Sequence, residues 1–139
     1  MLTVGVSFIY TEKIAKDILF MLEKASDVAV KKLKLAKLDI SIIFVGENKI
    51  KQLNKLYRKK DKVTDVLSFF YGNEGEVFVC LKQAIRQAKE NKVDLQSELV
   101  KLIIHGLTHI AGYNHEKEAD YKKMNKIETY IYDIYQKNI

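Results

Sequence analysis

The segment 105–115 reads His105-Gly-Leu-Thr-His109-Ile-Ala-Gly112-Tyr-Asn-His115 and contains all three histidines of the chain. His105 and His109 are four positions apart, so on a helix they share one face, and their nitrogens can reach one ion at roughly 2.0–2.1 Å. Gly112 can adopt the left-handed backbone that commonly ends a helix, which returns His115 toward the other two. The segment therefore predicts a metal site with three nitrogen ligands and an open fourth position. The alternative, histidines that serve only in packing or at the surface, is disfavoured by this spacing.

An open ligand position is typical of catalytic zinc, whereas structural zinc is usually closed by four protein ligands and often rich in cysteine. The only cysteine of this chain, Cys80, lies outside the histidine segment. The same histidine spacing occurs in metzincin proteases, which need a glutamate as general base where this chain has Gly106. Without that glutamate, a bound ion still lowers the pKa of its water to about 7. The sequence therefore favours a metal-dependent hydrolase and disfavours a peptidase.

The helix that carries His105 and His109 has one narrow polar strip. Asp94 is placed to cap its start, and at about 100° per residue Glu98 shares the strip with the two histidines. Apolar residues cover the opposite arc: Leu99, Val100, Ile103, Ile104, Leu107 and Ile110. We therefore expect a largely buried helix whose polar strip faces a cleft. Glu98 lies two turns before His105, too far along the axis to bind the same ion, and is expected to be structural.

Two motifs of the chain resemble the signatures of the YbeY family of endoribonucleases, also called rRNA maturation factors. The first is the histidine segment, His105-Gly106-x-x-His109-x-x-Gly112-Tyr113-x-His115. The second comprises Leu53-Asn54-x-x-Tyr57-Arg58 and Thr64-Asp65-Val66-Leu67-Ser68-Phe69, in the family's order and at similar separation. The resemblance extends from about position 40 to position 128.

The resemblance implies a single-strand-specific, zinc-dependent endoribonuclease that acts in ribosomal RNA maturation and ribosome quality control in the bacterial cytoplasm. It implies one zinc ion per chain, held by His105, His109 and His115. It also implies that Arg58 binds phosphate oxygens through its planar fork of donors, so Arg58 and the three histidines are the expected catalytic residues. The expected partners are single-stranded RNA, ribosomal RNA and the small ribosomal subunit, with no DNA and no membrane. Apart from the resemblance, Arg58 has the pattern of a surface ion pair at a helix end.

The chain departs from the family pattern at a few positions. Relatives commonly have proline where this chain has Val63, and Gly-Asp where it has Gly75-Glu76. They also commonly have aspartate immediately before the last histidine, where this chain has Asn114. A carboxylate at that position could orient a ligand or accept a proton, whereas an amide can only orient.

The remaining sequence alternates between strand and helix patterns. Strands are predicted at 2–9, 38–45, 66–70 and 77–81, with a turn at 72–75, and helices at 11–34 with Thr11 as cap, 47–58, 82–91, between Asp94 and Gly112, and 117–137. The buried side of the 47–58 helix is expected to include Leu56 and Tyr57, and Thr64 and Asp65 are expected to pin the loop after it by bonding nearby backbone. The second strand is apolar almost throughout, so we expect it to lie centrally and to be covered on both faces. We expect an α+β fold with a mostly antiparallel or mixed four-stranded sheet, about five helices and the metal helix buried centrally, within a single domain of residues 1–139.

The net charge of +6 and pI near 9.2 favour a polyanionic partner. A single cysteine excludes an internal disulfide, and neither a secretion signal nor a membrane-length apolar run is evident, so we expect a cytoplasmic protein. The tyrosines of the last helix, Tyr121, Tyr130, Tyr132 and Tyr135, are at packing spacing and are expected in the core or at its boundary rather than stacked on bases. The alternative to an enzyme is a metal-stabilised assembly factor that binds ribosomal RNA without cleaving it.

Overall fold

The computed structural model describes residues 5–10 and 13–138. Its elements follow in chain order: β1 (Val6–Tyr10), α1 (Lys16–Lys32), β2 (Asp39–Val45), α2 (Glu47–Arg58), β3 (Val66–Tyr71), β4 (Glu74–Cys80), α3 (Leu81–Glu90), α4 (Leu95–Ile110) and α5 (Glu118–Lys137). The predicted α+β fold with four strands and five helices is confirmed. Residues 2–4 of the first predicted strand and the predicted cap Thr11 lie outside the described residues.

The four strands form one mixed sheet in the order β1-β2-β4-β3. β1 pairs with β2, and β2 with β4, in parallel, whereas β3 pairs with β4 in an antiparallel hairpin. The central position of β2 agrees with its prediction. β4 is also central, so both strands that carry the largest runs of buried residues lie inside the sheet, and β3 forms one edge.

The β3–β4 hairpin has a shorter turn than the sequence suggests. The turn was expected at 72–75, but Tyr71 already pairs with Glu74, which leaves only Gly72 and Asn73 between the strands. Gly72 has φ +62°, a left-handed conformation that glycine adopts without steric cost. Glu74 and Gly75, which were expected in the turn, belong to the ladder and extend β4 at its N-terminal end.

Helix α4 lies centrally on one face of the sheet, as expected. It contacts three helices, α1, α3 and α5, and two strands, β3 and β4. Its apolar residues join the main core, in which Leu99, Val100, Ile103 and Leu107 are completely buried. The burial of so many large side chains fixes α4 in place. The polar strip of the same helix, which carries His105 and His109, is therefore fixed as well.

The other face of the sheet, here called the open face, is covered only at one end. Helix α2 packs there through Ile50 against a small cluster that includes Val45, Leu67 and Cys80. The prediction that β2 is covered on both faces is therefore wrong in part, because Ser41 and Ile43, which point to the open face, are only half-buried.

Two predicted packing faces need correction as well. In α2, Leu56 and Tyr57 were expected to be buried but are 70% and 61% exposed, because the helix reaches beyond the apolar cluster beneath it. In α5, Tyr121 and Tyr130 are exposed, whereas Tyr135 is buried in the main core.

Within the described residues, no helix combines the length and the apolar character needed to cross a bilayer.

Candidate metal centre

Helix α4 is fixed at both ends by local chemistry. The Asp94 carboxylate accepts a hydrogen bond from the Ser97 backbone N–H at 2.6 Å, which confirms it as the N-cap. At the other end Gly112 has φ +101°, a region that favours glycine, and it follows the last helical residue Ile110 by two positions. The helix therefore ends where the spacing of the histidines requires the chain to turn.

The turn brings the three histidines together. The ligand nitrogens of His105, His109 and His115 all lie within 4.8 Å of one another. The ring centroids are 4.7 Å apart for His105 and His109, 5.2 Å for His109 and His115, and 5.9 Å for His105 and His115. The cluster thus joins two residues of α4 to one residue of the following loop.

The cluster has the dimensions of a metal site. Tetrahedral zinc with nitrogen ligands at about 2.0–2.1 Å places those nitrogens roughly 3.4 Å apart. The three nitrogens, all within 4.8 Å of one another, are close to that arrangement. Neutral imidazoles suit zinc and other late transition metals, so the donor set fits one such ion.

His109 is held in the neutral form that a metal ligand needs. Burial, and in smaller measure the neighbouring His105, His115 and Arg58, together lower its pKa to about 4. A pKa that far below 7 leaves the imidazole lone pair available at neutral pH.

His105 is oriented by a residue that the sequence analysis did not identify. Its Nδ1 lies 2.9 Å from the Glu128 carboxylate on α5, where both side chains are about one quarter to one third exposed. A carboxylate bonded to Nδ1–H fixes the tautomer and directs Nε2 toward the cluster. A signal existed in the sequence, since Glu128 interrupts the otherwise apolar stripe of Met124, Ile131 and Tyr135 at helical spacing.

Asn114 serves the loop rather than the cluster. Its side-chain oxygen accepts a hydrogen bond from the Glu116 backbone N–H at 3.2 Å. This local bond stabilises the turn that presents His115. The amide at this position therefore has an orienting role, which agrees with what its chemistry allows.

Gly106 is required by the approach of α4 to the sheet. A Cβ added there would lie 2.6 Å from Val77 Cγ1 and 3.0 Å from Ser68 Oγ. The Ser68 hydroxyl donates a hydrogen bond to the Gly106 carbonyl at 2.9 Å, which ties β3 to the helix. A glutamate in this position, as in metzincins, has no space, so the absence of that base is imposed by packing.

The close approach at Gly106 makes a stability prediction. We expect Gly106→Ala to lower the free energy of unfolding by up to about 2 kcal/mol, because an overpacking cost of about 1–3 kcal/mol at the branched Val77 exceeds the helix-propensity gain of about 1 kcal/mol. Denaturant unfolding would measure the change. Gly5→Ala is the matched control, since a Cβ there meets no atom within 4 Å. An unfolding free energy for Gly106→Ala at or above that of the wild type would contradict the prediction.

Arg58 lies beside the histidine cluster although it is far from it in sequence. It ends α2, is exposed, and lines a cleft of about 160 Å³ together with His109, Ser68, Phe69 and Phe70. A second cleft of about 330 Å³ reaches the cluster from the α5 side and is lined by His105, His115 and Glu128, among others. The cluster therefore has open space on two sides, and Arg58 borders one of them.

A hydrogen-bonded chain holds the loop that follows Arg58. The Asp65 carboxylate accepts from the Val66 backbone N–H at 2.7 Å and from the Gln87 amide at 3.2 Å. The same amide donates to Glu98 at 3.0 Å, so Glu98 links α3 to α4 and takes no part in the histidine cluster. Its structural role and the pinning of the loop at Asp65 agree with the sequence analysis.

Most of the chain is similar to a family of known proteins. The sequence model described as Endoribonuclease YbeY matches residues 7–136. A protein of Aquifex aeolicus named Endoribonuclease YbeY is 39% identical over 127 residues, which cover 86% of this chain and 83% of the relative. One of Thermodesulfovibrio yellowstonii with the same name is 40% identical over 135 residues, covering 91% and 79%.

A solved structure agrees with the fold. The solution structure of a Thermotoga maritima protein has a TM-score of 0.61 and 28% sequence identity, and the match covers 96% of this chain and 93% of that chain. The family model matches nearly all of the chain, and relatives about 40% identical align with it over most of their own length. The chain therefore belongs to the YbeY family.

Proposed function

We propose that this chain is a zinc-dependent endoribonuclease that cleaves single-stranded RNA and acts in ribosomal RNA maturation and ribosome quality control. The observation that carries the proposal is the meeting of a three-histidine cluster with Arg58 at one cleft. Relatives along most of the chain are named endoribonucleases, which supports RNA as the substrate. We further propose that residues 1–139 act as one domain.

The proposed ion is a single zinc held by His105, His109 and His115. When bound, it supplies Lewis acidity and activates water for hydrolysis of a phosphodiester. Glu128 holds His105 in the tautomer that a ligand needs, and the depressed pKa of His109 keeps that imidazole neutral. Three imidazoles without a thiolate favour zinc over metals that prefer soft sulfur ligands.

Arg58 is proposed to bind the non-bridging oxygens of the scissile phosphate. Its guanidinium presents paired donors in a planar fork, a geometry that matches phosphate oxygens. Negative charge grows on these oxygens as the nucleophile arrives, so a fixed guanidinium stabilises the transition state more than the ground state. The exposed position of Arg58 at the edge of the cleft leaves it accessible to a chain of nucleotides.

The backbone of the RNA is proposed to follow the basic end of α2. Lys55, Lys59, Lys60 and Lys62 are all exposed there, next to Arg58 along the chain. Each phosphate contacted by such a side chain releases condensed counterions. The proposed partners are therefore ribosomal RNA and, through it, the small ribosomal subunit.

A buried and unpaired Cys80 suits a reducing compartment, and we propose the cytoplasm.

Salt tests the electrostatic part of this proposal. The affinity for single-stranded RNA should fall steeply as salt rises, with a log–log slope of about −0.7 for each phosphate contacted. Fluorescence anisotropy of a labelled oligonucleotide across a salt series would measure the slope. An unrelated protein of similar net charge is the control, because charge alone gives some slope, and an affinity independent of salt would contradict the assignment.

A further inference from the structure

The open face of the sheet carries a groove whose walls are largely aromatic. It has a volume of about 520 Å³ and is lined by Tyr57, Phe69, Phe70, Tyr71 and Glu76, among others. We call it the aromatic groove. Tyr57 and Tyr71 are 61% and 48% exposed, so two large rings face solvent in the groove. Phe70, by contrast, pairs with Gly75 and so lies at the edge of β3 toward α4. Clustered exposed apolar surface of this kind usually marks a binding site.

Ring contacts hold part of this surface in place. The Tyr57 and Phe69 rings lie 4.9 Å apart at 60°, and Phe69 meets Phe78 at 5.8 Å in an edge-on arrangement. Aromatic pairs of this geometry support one another beyond simple burial. A flat ligand that stacks on the outer rings would therefore meet a preformed surface and would lose little of its binding energy to ordering it.

The aromatic groove is continuous with the cleft at the histidine cluster. Phe69 and Phe70 line both the groove and the cleft that contains Arg58 and His109. Tyr57 precedes Arg58 in α2, so a ring of the groove and the proposed phosphate-binding group are neighbours on one helix. A ligand that has both a flat ring and a phosphate could occupy the two at once.

Charge decides which part of such a ligand enters the groove. Glu76 contributes a carboxylate to the groove wall, where the Tyr71 hydroxyl donates a hydrogen bond to it. A carboxylate repels phosphate but accepts hydrogen bonds from the amino groups of nucleobases. The positive groups lie instead at Arg58 and along the lysines that follow it. The groove is therefore suited to bases, and its basic border to the backbone.

We infer that the aromatic groove binds unpaired bases of the RNA strand whose phosphate lies at Arg58 and the histidine cluster. The inference rests on the proposed function and deepens it, because it names the feature that selects single strands. Aromatic side chains stack on any base without reading its sequence. In a duplex the base faces are already stacked inside the helix, so a duplex cannot fill the groove.

The test compares RNA with and without bases. We expect the protein to bind a phosphorothioate-linked single-stranded RNA, which resists cleavage, about tenfold or more tightly than a backbone of equal length that lacks bases. Tyr71→Ala should remove most of this difference, while Tyr71→Phe, which keeps a ring, should retain it. Anisotropy gives the affinities, and the slope with salt should stay unchanged in Tyr71→Ala because no charge is lost.

A spectroscopic measurement reports stacking directly. A 2-aminopurine base in the strand should lose fluorescence on binding the wild type and lose less on binding Tyr57→Ala or Tyr71→Ala. Phe20→Ala is the matched control, since Phe20 is 56% exposed but lies on α1, and it should behave as the wild type. These variants change exposed rings, and thermal unfolding would verify that each is folded.

Each other outcome overturns the inference. Equal affinity for RNA with and without bases removes it, and if the wild type still cleaves single-stranded RNA, the proposed function stands without it. A preference for bases that survives in both Tyr57→Ala and Tyr71→Ala also removes it. Light scattering that shows a dimer broken by Tyr71→Ala would make a second copy of the chain the occupant. Absence of any binding to single-stranded RNA would remove both the inference and the proposed function.

Discussion

Arg58→Ala is expected to lower the rate of single-stranded RNA cleavage by about a hundredfold or more, the scale observed when one preorganised charge-stabilising donor is removed. The guanidinium borders the cleft at His109, where it can meet the charge that develops on the phosphate oxygens. Metal content and melting temperature should change little, because Arg58 is exposed at the end of α2. Single-turnover cleavage of a labelled oligonucleotide would measure the rate.

Two variants separate geometry from charge. Arg58→Lys should restore little activity, because a point charge lacks the paired donors of the fork. Lys59→Ala removes the same charge one position later and should affect cleavage far less than Arg58→Ala. If Arg58→Ala cleaves RNA at the wild-type rate, Arg58 is only a surface residue, and its proposed role must be abandoned.

The His105→Ala, His109→Ala double variant is expected to reduce the metal content from about one ion per chain to nearly none, and to abolish cleavage. It removes two of three ligands, and the remaining His115 lies on an exposed loop that cannot hold an ion alone. Elemental analysis of protein purified without chelators would count the metal. Cleavage assays on the same preparations would connect metal to activity.

Tyr113→Ala is a suitable control for the double variant. Tyr113 lies in the loop that carries His115 but does not belong to the histidine cluster. Its metal content should match that of the wild type. Negligible metal in the wild type, or unchanged metal in the double variant, would show that the site assignment is wrong. A wild type that contains metal but cleaves no single-stranded RNA would instead favour the assembly factor that binds without cleaving.

Local sequence was sufficient for the elements and for the meeting of the three histidines. The spacing of His105 and His109, the cap at Asp94 and the glycine at 112 all act within a few residues, so their geometry follows from helical periodicity. For the same reason α2 was predicted at its observed bounds, Glu47–Arg58. The errors arose where burial depends on distant partners, as at Leu56 and Tyr57, whose helical face extends past the cluster that it was expected to cover.

The sequence by itself thus determined that three histidines share one helix end and that no glutamate follows the first of them. Only the tertiary structure decided the rest of the site, because those contacts join residues that no periodic pattern connects. It placed Arg58 beside His109, brought Glu128 to His105, and set Val77 against Gly106 so that no side chain fits there. Such neighbours are fixed by the packing of α4 between the sheet and α5, and packing depends on the shape of the whole core rather than on local spacing.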